Sequence, residues 1–349
     1  MRLAVVGTGT IGLDHIQRIR ANPQTNLCAV VDPNPALPTL AQQLGVPGYH
    51  TLEELLAQSQ LDGVVLATPN ALHVPQTLAC LQAGVAVLVE KPVAHTVADA
   101  QRLAQVVAQT QARVLVGHHR AHSPIMAQAR SWVQSGRLGR LVAVQGSALF
   151  YKPDSYYSDA PWRRQVGGGP ILINLVHEIH NLRMLCGEIV AVQAMVSHAV
   201  RGFEVEDTAC ISFQFDSGVL GSFLLSDTTA CARSWEQTSQ ENPAYSSYPD
   251  EDCYVLAGTQ GSLAIPTMRL KSFAPGQDRS WFETMHSETQ ALDERLQLQD
   301  PLALQLQHFI EAVRGQAAPL VSVHDGLRNL QVVEAIAQAA RTGELVTLA

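Results

Sequence analysis

A glycine-rich segment, Gly7-Thr8-Gly9-Thr10-Ile11-Gly12, directly follows the apolar run Leu3–Val6. In this spacing the first glycine permits a tight turn, the second lets the backbone approach a pyrophosphate, and the third lets a helix pack on the strand. The amides and the positive dipole end of that helix suit phosphate groups. We therefore predict a dinucleotide site with contacts from Gly7, Gly9, Thr10, Ile11 and Gly12.

An acidic residue, Asp32, ends the second predicted strand, about 20 residues after Gly12. A carboxylate at this place accepts hydrogen bonds from the adenosine ribose and repels a 2′-phosphate. No lysine or arginine occurs between Arg20 and Lys91 to neutralise such a phosphate. These features predict NAD rather than NADP as the cofactor.

A polar segment, Ala67–His73, follows the fourth predicted strand. Open parallel sheets bind their ligands at the carboxyl ends of the strands. We therefore expect this segment to line the nicotinamide-ribose side of the cofactor. Its candidate contacts are Thr68, Pro69, Asn70 and His73.

The tripeptide Glu90-Lys91-Pro92 follows the fifth predicted strand in the same way, and Glu90 and Lys91 are further candidate cofactor contacts. The chain contains only three lysines, of which the other two are Lys152 and Lys271. An ammonium can hydrogen-bond a reacting hydroxyl, and desolvation brings its pKa closer to neutrality. We predict that Lys91 takes part in the reaction.

The predicted helices and strands that carry these residues follow two patterns. Over residues 1–119, short apolar runs alternate with segments of helical period, which is typical of a doubly wound α/β domain. Over residues 120–349, alternating segments joined by turns such as Asp216–Gly218 indicate an α+β domain. Two amphipathic helices, near Pro301–Arg314 and His324–Arg341, end the chain.

Three local features lead to specific expectations. Thr51 followed by Glu54 predicts a helix start with a capping box. Tyr254–Ala264 has the alternation of a single long strand. Ala232–Glu251 is rich in serine, asparagine, proline and acidic residues, which predicts a surface loop.

Composition excludes several classes of protein. The 23 lysines and arginines against 31 acidic residues give a net charge of −8, which does not suit a nucleic-acid partner. The six cysteines form no CxxC pair, so neither a secreted disulfide framework nor a zinc ribbon is expected. No apolar run approaches the roughly 20 residues that a bilayer requires, and Leu3–Val6 is too short for a signal peptide. We expect a cytoplasmic protein without a membrane partner.

Four segments in order, namely the glycine segment, Val30–Pro33, Ala67–His73 and Glu90–Pro92, resemble the Gfo/Idh/MocA family (glucose-fructose oxidoreductase, inositol dehydrogenase, rhizopine catabolism). Gly167–Gly187 and Asp325–Leu327 extend the resemblance over nearly the whole chain. The resemblance implies a Rossmann domain followed by a domain with an open, mostly antiparallel sheet. It also implies hydride transfer between a nicotinamide cofactor and a hydroxyl or carbonyl carbon, typically of a sugar or polyol.

The resemblance further implies catalytic roles for two residues. In that family the lysine of Glu-Lys-Pro orients the substrate and a histidine after the glycine run acts in proton transfer, which correspond here to Lys91 and His177. Many members carry aspartates four positions before and three positions after that histidine, where this chain has Ile173 and His180. On a regular helix Asn174 would neighbour His177. Asn174 and His180 are therefore the alternatives for the missing carboxylates.

Further candidate substrate contacts lie in three segments. His119 and Arg120 follow the sixth predicted strand, Tyr157 and Arg163 precede the glycine run, and Asn174 and His180 flank His177. Arginines such as Arg163 suit a substrate carboxylate, although ion pairing in a solvated loop is the alternative. The histidines lack cysteine, aspartate or glutamate partners at ligand spacing, so no metal site is predicted.

Three functions are compatible with these residues. The first is an NAD-dependent dehydrogenase that acts on a secondary alcohol or ketone of a sugar, a polyol or a carboxylated cyclic diol. The others are an NAD-retaining enzyme resembling glycoside hydrolases and a non-catalytic NAD-binding sensor; the presence of Lys91 and His177 disfavours the sensor. An open sheet leaves one face to be covered, so we expect a homodimer or homotetramer that associates through the C-terminal domain.

Overall fold

The computed structural model describes residues 1–289 and 299–348. The chain divides into two compact units, Met1–His122 with Pro301–Leu330, and Ser123–Asp300 with Gln331–Ala349. The sequence-based division after residue 119 does not assign residues 301–330 to the first unit. They belong there because the apolar face of the helix Pro301–Val313 is buried in the core of that unit.

The described elements follow the order expected for strands that alternate with helices and then for a larger sheet. The helices are α1 (Thr10–Ala21), α2 (Leu37–Leu44), α3 (Leu52–Gln58), α4 (Asn70–Gln82), α5 (Val97–Thr110), α6 (Pro124–Gln134), α7 (Asp154–Ser158), α8 (Val176–Cys186), α9 (Trp235–Thr238), α10 (Pro301–Val313) and α11 (Val323–Thr342). Short 3-10 helices cover His119–His122 and Pro161–Arg164, and a π-helix covers Ile171–Leu175.

The strands form one sheet in each unit. They are β1 (Arg2–Val6), β2 (Asn26–Val31), β3 (Gly48–Tyr49), β4 (Gly63–Leu66), β5 (Ala86–Glu90), β6 (Val114–Gly117), β7 (Leu141–Tyr151), β8 (Ile189–Ser197), β9 (Thr208–Phe215), β10 (Leu220–Ser226), β11 (Thr228–Arg233), β12 (Tyr254–Gly258), β13 (Gly261–Ile265), β14 (Arg269–Ser272), β15 (His286–Thr289) and β16 (Val346–Thr347).

The first unit contains a parallel six-stranded sheet in the order β3-β2-β1-β4-β5-β6. Its central strands are buried on both faces, with Val5, Val65 and Leu88 fully inaccessible. The strand order reverses between β1 and β4, which is where a doubly wound sheet binds a dinucleotide. The predicted α/β Rossmann fold is confirmed, and the carboxyl ends of the strands meet at one edge.

The second unit contains a ten-stranded sheet in which β7 and β10 are parallel and the other pairs are antiparallel. Along β9 and β10 the buried residues, among them Ile211 and Phe223, alternate with exposed ones. The expected open, mostly antiparallel sheet is confirmed. The exposed set includes Leu220 and Leu224, so one face of this sheet presents apolar side chains.

Local sequence signals were accurate where they depended on neighbouring residues. The capping box forms as expected, because the Thr51 hydroxyl accepts the amide hydrogen of Glu54 and the Glu54 carboxylate accepts that of Thr51. The single strand expected over Tyr254–Ala264 is wrong: β12 and β13 form a hairpin in which Leu256 pairs with Leu263. The alternation continues through the turn, so the pattern could not locate it.

The surface loop expected over Ala232–Glu251 is only partly correct. Trp235 in α9 is buried, and its ring lies 5.8 Å from that of Tyr254. The segment therefore contributes an aromatic side chain to the core of the second unit, despite its polar composition. Within the described ranges, no helix combines the length and the apolar character that a membrane span requires.

Candidate cofactor and substrate sites

The glycine segment forms the turn between β1 and α1. Gly7 has a φ of +92°, and a Cβ at this position would collide with the carbonyl oxygen of Ala67. A Cβ at Gly12 would collide with the carbonyl oxygen of Gly7. At Gly9, in contrast, no atom lies within 4 Å of the place that a Cβ would occupy. The turn is therefore tightly packed on the protein side and open at the glycine that precedes α1.

The first turn of α1 suits an anion. Thr10 and Ile11 begin this helix, and its first turn contains no acidic residue. The first amides of a helix have no partner within it and carry a partial positive charge. Together with the space at Gly9, these residues fit the pyrophosphate of a dinucleotide.

Asp32 lies just beyond β2 and is fixed by three hydrogen bonds. Its Oδ2 accepts the amide and the hydroxyl of Thr8 at 2.7 and 2.8 Å, and its Oδ1 accepts the amide of Asn34 at 2.9 Å. Partial burial works to raise the pKa of Asp32, but these hydrogen bonds prevail and the pKa lies below its usual value. The ionised carboxylate retains acceptor capacity for ribose hydroxyls.

Glu90 ends β5 and is buried against α1. Its Oε1 lies 2.9 Å from Nε2 of His15, and its Oε2 accepts the amide of Lys91 at 3.1 Å. Burial works to raise the pKa of Glu90, but the hydrogen bond and charge of His15 lower it below its usual value. Glu90 is a predicted cofactor contact, whereas no sequence signal pointed to His15 as its partner. The structure shows that this pair joins α1 to β5.

His73 lies inside the unit and links two loops at the carboxyl edge of the sheet. Its ring nitrogens lie 2.7 Å from the carbonyl oxygen of Pro92 and 2.8 Å from that of Thr68. The ring is only 1% exposed, and desolvation lowers its pKa. Both ring nitrogens therefore face main-chain oxygens of these loops, and the expected contact of His73 with the cofactor stays a prediction. Pro69 and Asn70 remain at this edge, where α4 begins.

Lys91 is half-buried at the same edge, and its peptide bond to Pro92 is cis. His119 and Arg120 lie in the 3-10 helix that follows β6. Desolvation, followed by the positive charge of Arg120, lowers the pKa of His119 to about 3. His119 is thus a neutral imidazole, whereas Arg120 is a buried cation. Among the described residues, no group of three metal-ligating side chains is assembled.

In the second unit, His177 lies in the first turn of α8 and is buried. Two other polar residues of this helix contact Tyr254 of β12, whose hydroxyl donates to the Glu178 carboxylate and accepts from Nδ2 of Asn181. His180 is also buried on α8. These contacts attach the helix that carries His177 to the sheet, and sequence analysis did not find them.

Asn174 lies in the π-helix before α8 rather than on the regular helix that was assumed in placing it beside His177. A π-helix has a longer turn than an α-helix, so the expected spacing does not apply. The Oδ1 of Asn174 instead accepts a hydrogen bond from Nζ of Lys152 at 2.7 Å. Lys152 is therefore a site candidate that sequence analysis overlooked.

In the loop that precedes the glycine run, the two expected substrate contacts bond to other residues of the protein. Tyr157 is buried and its hydroxyl donates to Asp227, so it is an interior residue rather than an open substrate contact. Arg163 donates to the carbonyl oxygen of Tyr156 at 2.7 Å and lies 3.8 Å from the centre of its ring. Arg163 therefore keeps its charge close to the aromatic residues of this loop.

Comparison with known proteins gives consistent results for both units. A model of the oxidoreductase family with an NAD-binding Rossmann fold (Gfo/Idh/MocA) matches residues 1–118, and one of the Gfo/Idh/MocA C-terminal domain matches residues 126–264. The 1,5-anhydro-D-fructose reductase of Ensifer adhaerens is 30% identical over 307 residues, which cover 84% of this chain and 82% of that protein. The scyllo-inositol 2-dehydrogenase (NAD(+)) of Bacillus subtilis is 25% identical, covering 100% of this chain and 96% of its own.

Solved structures share the same fold. The WlbA dehydrogenase of Chromobacterium violaceum, in complex with NADH and UDP-GlcNAcA, has a TM-score of 0.78 and 26% identity, and the match covers 100% of this chain and 96% of that one. The glycine turn, the parallel sheet and the open second sheet agree with these matches. The chain therefore belongs to the Gfo/Idh/MocA family and is an oxidoreductase that acts on CH–OH groups.

Proposed function

We propose that this protein transfers a hydride between NAD and a secondary alcohol or ketone of a sugar, a polyol or a carboxylated cyclic diol. The observation that carries the proposal is the carboxyl edge of the six-stranded sheet. There the open turn at Gly9, the ionised Asp32 and Lys91 follow strands β1, β2 and β5. Relatives named for sugar and polyol oxidoreduction support the same class of substrate.

The proposed chemistry assigns a role to each of two side chains. In the oxidative direction the ammonium of Lys91 hydrogen-bonds the substrate oxygen and stabilises negative charge on it. The imidazole of His177 accepts the hydroxyl proton. NAD, when bound, supplies the hydride acceptor. Support for these roles comes from the resemblance, from the anchored backbone at Glu90 and from the attachment of α8 to Tyr254.

Preference for NAD over NADP is part of the proposal. Asp32 remains ionised, and a fixed carboxylate would repel a 2′-phosphate. The chain has no cation between Arg20 and Lys91 to offset this charge.

We also propose that the protein forms a homodimer or homotetramer through the exposed face of the second sheet, which presents Met195, Leu220 and Leu224. We also propose a cytoplasmic location, as expected from a sequence whose six cysteines lie far apart and form no CxxC pair.

The test is a screen of sugars, inositols, sugar acids and cyclic diols with NAD, followed by the absorbance of NADH. We expect net NADH formation with at least one of these classes. Release of a sugar from a glycoside without net NADH would instead establish the NAD-retaining hydrolytic function. Binding of NAD without turnover of any substrate would favour the sensor.

A further inference from the structure

A second lysine, Lys152, lies buried immediately after β7 and is held by two groups. Its Nζ donates to Oδ1 of Asn174 at 2.7 Å and lies 3.6 Å from Oδ2 of Asp227. The side chain is 10% exposed, so the ammonium is almost removed from bulk water. An ammonium has three donors, and the contacts with Asn174 and Asp227 account for two of them.

The carboxylate of Asp227 is shared with a second buried cation. Its Oδ1 accepts a hydrogen bond from Nε of Arg201 at 3.1 Å, and the hydroxyl of Tyr157 donates to Oδ2. The side chains of Lys152, Arg201 and Asp227 are all at most 10% exposed. Lys152 and Arg201 therefore share Asp227, with Lys152 in the longer contact, and Arg201 also pairs with the exposed Asp154 at 3.6 Å.

A third cation approaches the same aromatic side chain as Lys152. Nζ of Lys152 lies 4.7 Å from the ring centre of Tyr156, and Cζ of Arg163 lies 3.8 Å from it. The other carboxylate that acts on Lys152 is Glu236 of α9, which is only partly buried. Lys152 and Arg163 thus concentrate positive charge around one aromatic ring.

This cluster is attached to the segment that carries His177. Asn174, the hydrogen-bond partner of Lys152, lies in the π-helix that leads directly into α8. The ammonium of Lys152 therefore bonds to a residue that lies three positions before His177, the residue that we assign to proton transfer. A cation at this place can select substrates by charge without taking part in the hydride step.

We propose that Lys152, assisted by Arg163, binds a carboxylate of the substrate, so that the preferred substrates are polyhydroxy acids such as uronates rather than neutral polyols. The inference rests on the proposed dehydrogenase function and narrows its substrate class. A carboxylate would take the remaining donor of Lys152 and pair with the two cations that lie at the ring of Tyr156.

The experiment compares D-glucuronate with myo-inositol in the wild-type protein and in Lys152→Met, Lys152→Arg and Lys271→Met. The readouts are the ratio of kcat/KM for the acid to that for the neutral polyol, and calorimetric binding of D-glucuronate. We expect Lys152→Met to lower the ratio and the affinity about tenfold to hundredfold, as loss of a charge-assisted hydrogen bond would. Lys152→Arg keeps the charge and should retain most of both, and Lys271→Met, which changes an exposed lysine, should match the wild type.

Several outcomes would overturn the inference. One is a wild-type protein that binds D-glucuronate no better than myo-inositol, and another is a Lys152→Met protein that keeps the wild-type ratio and affinity. A Lys152→Arg protein as impaired as Lys152→Met would show that the lysine acts through packing rather than charge. Failure of the wild type to form NADH from either compound counts against the dehydrogenase proposal, while the calorimetric comparison still decides whether Lys152 binds the acid.

Discussion

The backbone around Lys91 is fixed by side chains that contact it before and after this residue. The amide of Lys91 donates to the Glu90 carboxylate, and the carbonyl oxygen of Pro92 lies 2.7 Å from the ring of His73. A side chain on such a backbone loses less conformational entropy when it binds a substrate oxygen. This arrangement suits the role that we propose for Lys91, that of a positioned hydrogen-bond donor.

Replacing Lys91 with alanine should lower kcat/KM about a hundredfold to a thousandfold, because the substrate oxygen loses a charged donor in the transition state. Affinity for NAD should remain within about threefold of wild type, since the glycine turn and Asp32 are unchanged. Steady-state kinetics and calorimetric titration with NAD measure the two effects. Lys271→Ala is the control, and near-normal turnover in Lys91→Ala would remove the catalytic assignment.

The proposed role of Asp32 concerns a different property of the site, namely which dinucleotide binds. Asp32→Ala should weaken NAD binding about tenfold, through loss of an ionised acceptor, and weaken NADP binding less or strengthen it. The measured quantity is the ratio of the two dissociation constants, with the exposed Asp250→Ala as control. A ratio equal to that of the wild type would contradict the ribose contact.

The charge of Lys152 should depend on pH in the range of ordinary assays. Desolvation lowers its pKa to about 8, although the charges of Asp227 and Glu236 oppose this shift and that of Arg163 adds to it. Above this pH the ammonium loses its proton, so kcat/KM for D-glucuronate relative to myo-inositol should fall by up to about tenfold per pH unit. Lys152→Arg should keep the ratio constant over the same range. A wild-type ratio that is flat from pH ~7 to ~9.5 would be inconsistent with an ammonium in this role.

At the scale of elements, the contact between His15 and Glu90 joins α1 to the end of β5. It keeps the helix that receives the pyrophosphate in place relative to the strand that carries Lys91. Because both side chains are buried, removal of one partner leaves the other without its hydrogen bond.

Glu90→Gln should lower the free energy of unfolding by about 1–3 kcal/mol near neutral pH. The pKa of Glu90 is lower in the folded state than its ordinary value. Its contribution to stability is therefore present above the unfolded pKa of about 4.3 and is lost as the pH falls through the folded pKa. Urea denaturation between pH ~7 and ~3.5 should show a weaker pH dependence in Glu90→Gln than in the wild type. Glu53→Gln, at an exposed position, is the control. If the stability of Glu90→Gln depended on pH as strongly as that of Glu53→Gln, the proposed contribution of Glu90 would be refuted.

Elements were predictable where the signal was local. The strands β1, β2, β4, β5 and β6 coincide within a residue or two with apolar runs, and the capping box at Thr51 forms because both partners lie within one helical turn. The π-helix at Ile171–Leu175 was not predictable, since nothing in its apolar pattern distinguishes it from an α-helix. Because Asn174 lies in this π-helix, its hydrogen bond with Lys152 was not predictable either.

The exposed face of the second sheet is the surface through which we propose that the protein associates. Met195, Cys210 and Leu224 are aligned across β8, β9 and β10 by the strand register, and all three are exposed. An apolar row of this kind on a regular sheet is suited to pairing with the same row of a second copy.

The double substitution Met195→Lys and Leu224→Lys should shift the protein from an oligomer to a monomer, because association would bury two unpaired charges. Analytical ultracentrifugation of the wild type and the double variant measures this change. Leu320→Lys, at another partly exposed leucine, should keep the oligomeric state of the wild type. A monomeric wild type, or an oligomeric double variant, would rule out association through this face.

The Rossmann fold, the glycine turn and the places of Asp32 and Lys91 at strand ends were predictable from the sequence, because each depends on residues that are close together in the chain or on a regular hydrophobic period. The partners of the buried polar groups, such as His15 with Glu90 and Lys152 with Asn174, depend on how the chain folds in three dimensions. The assignment of α10 to the first unit depends on the three-dimensional fold as well. The physical reason is that a buried charge must be compensated by whichever group the fold brings within hydrogen-bond distance, and separation along the chain carries no information about that choice.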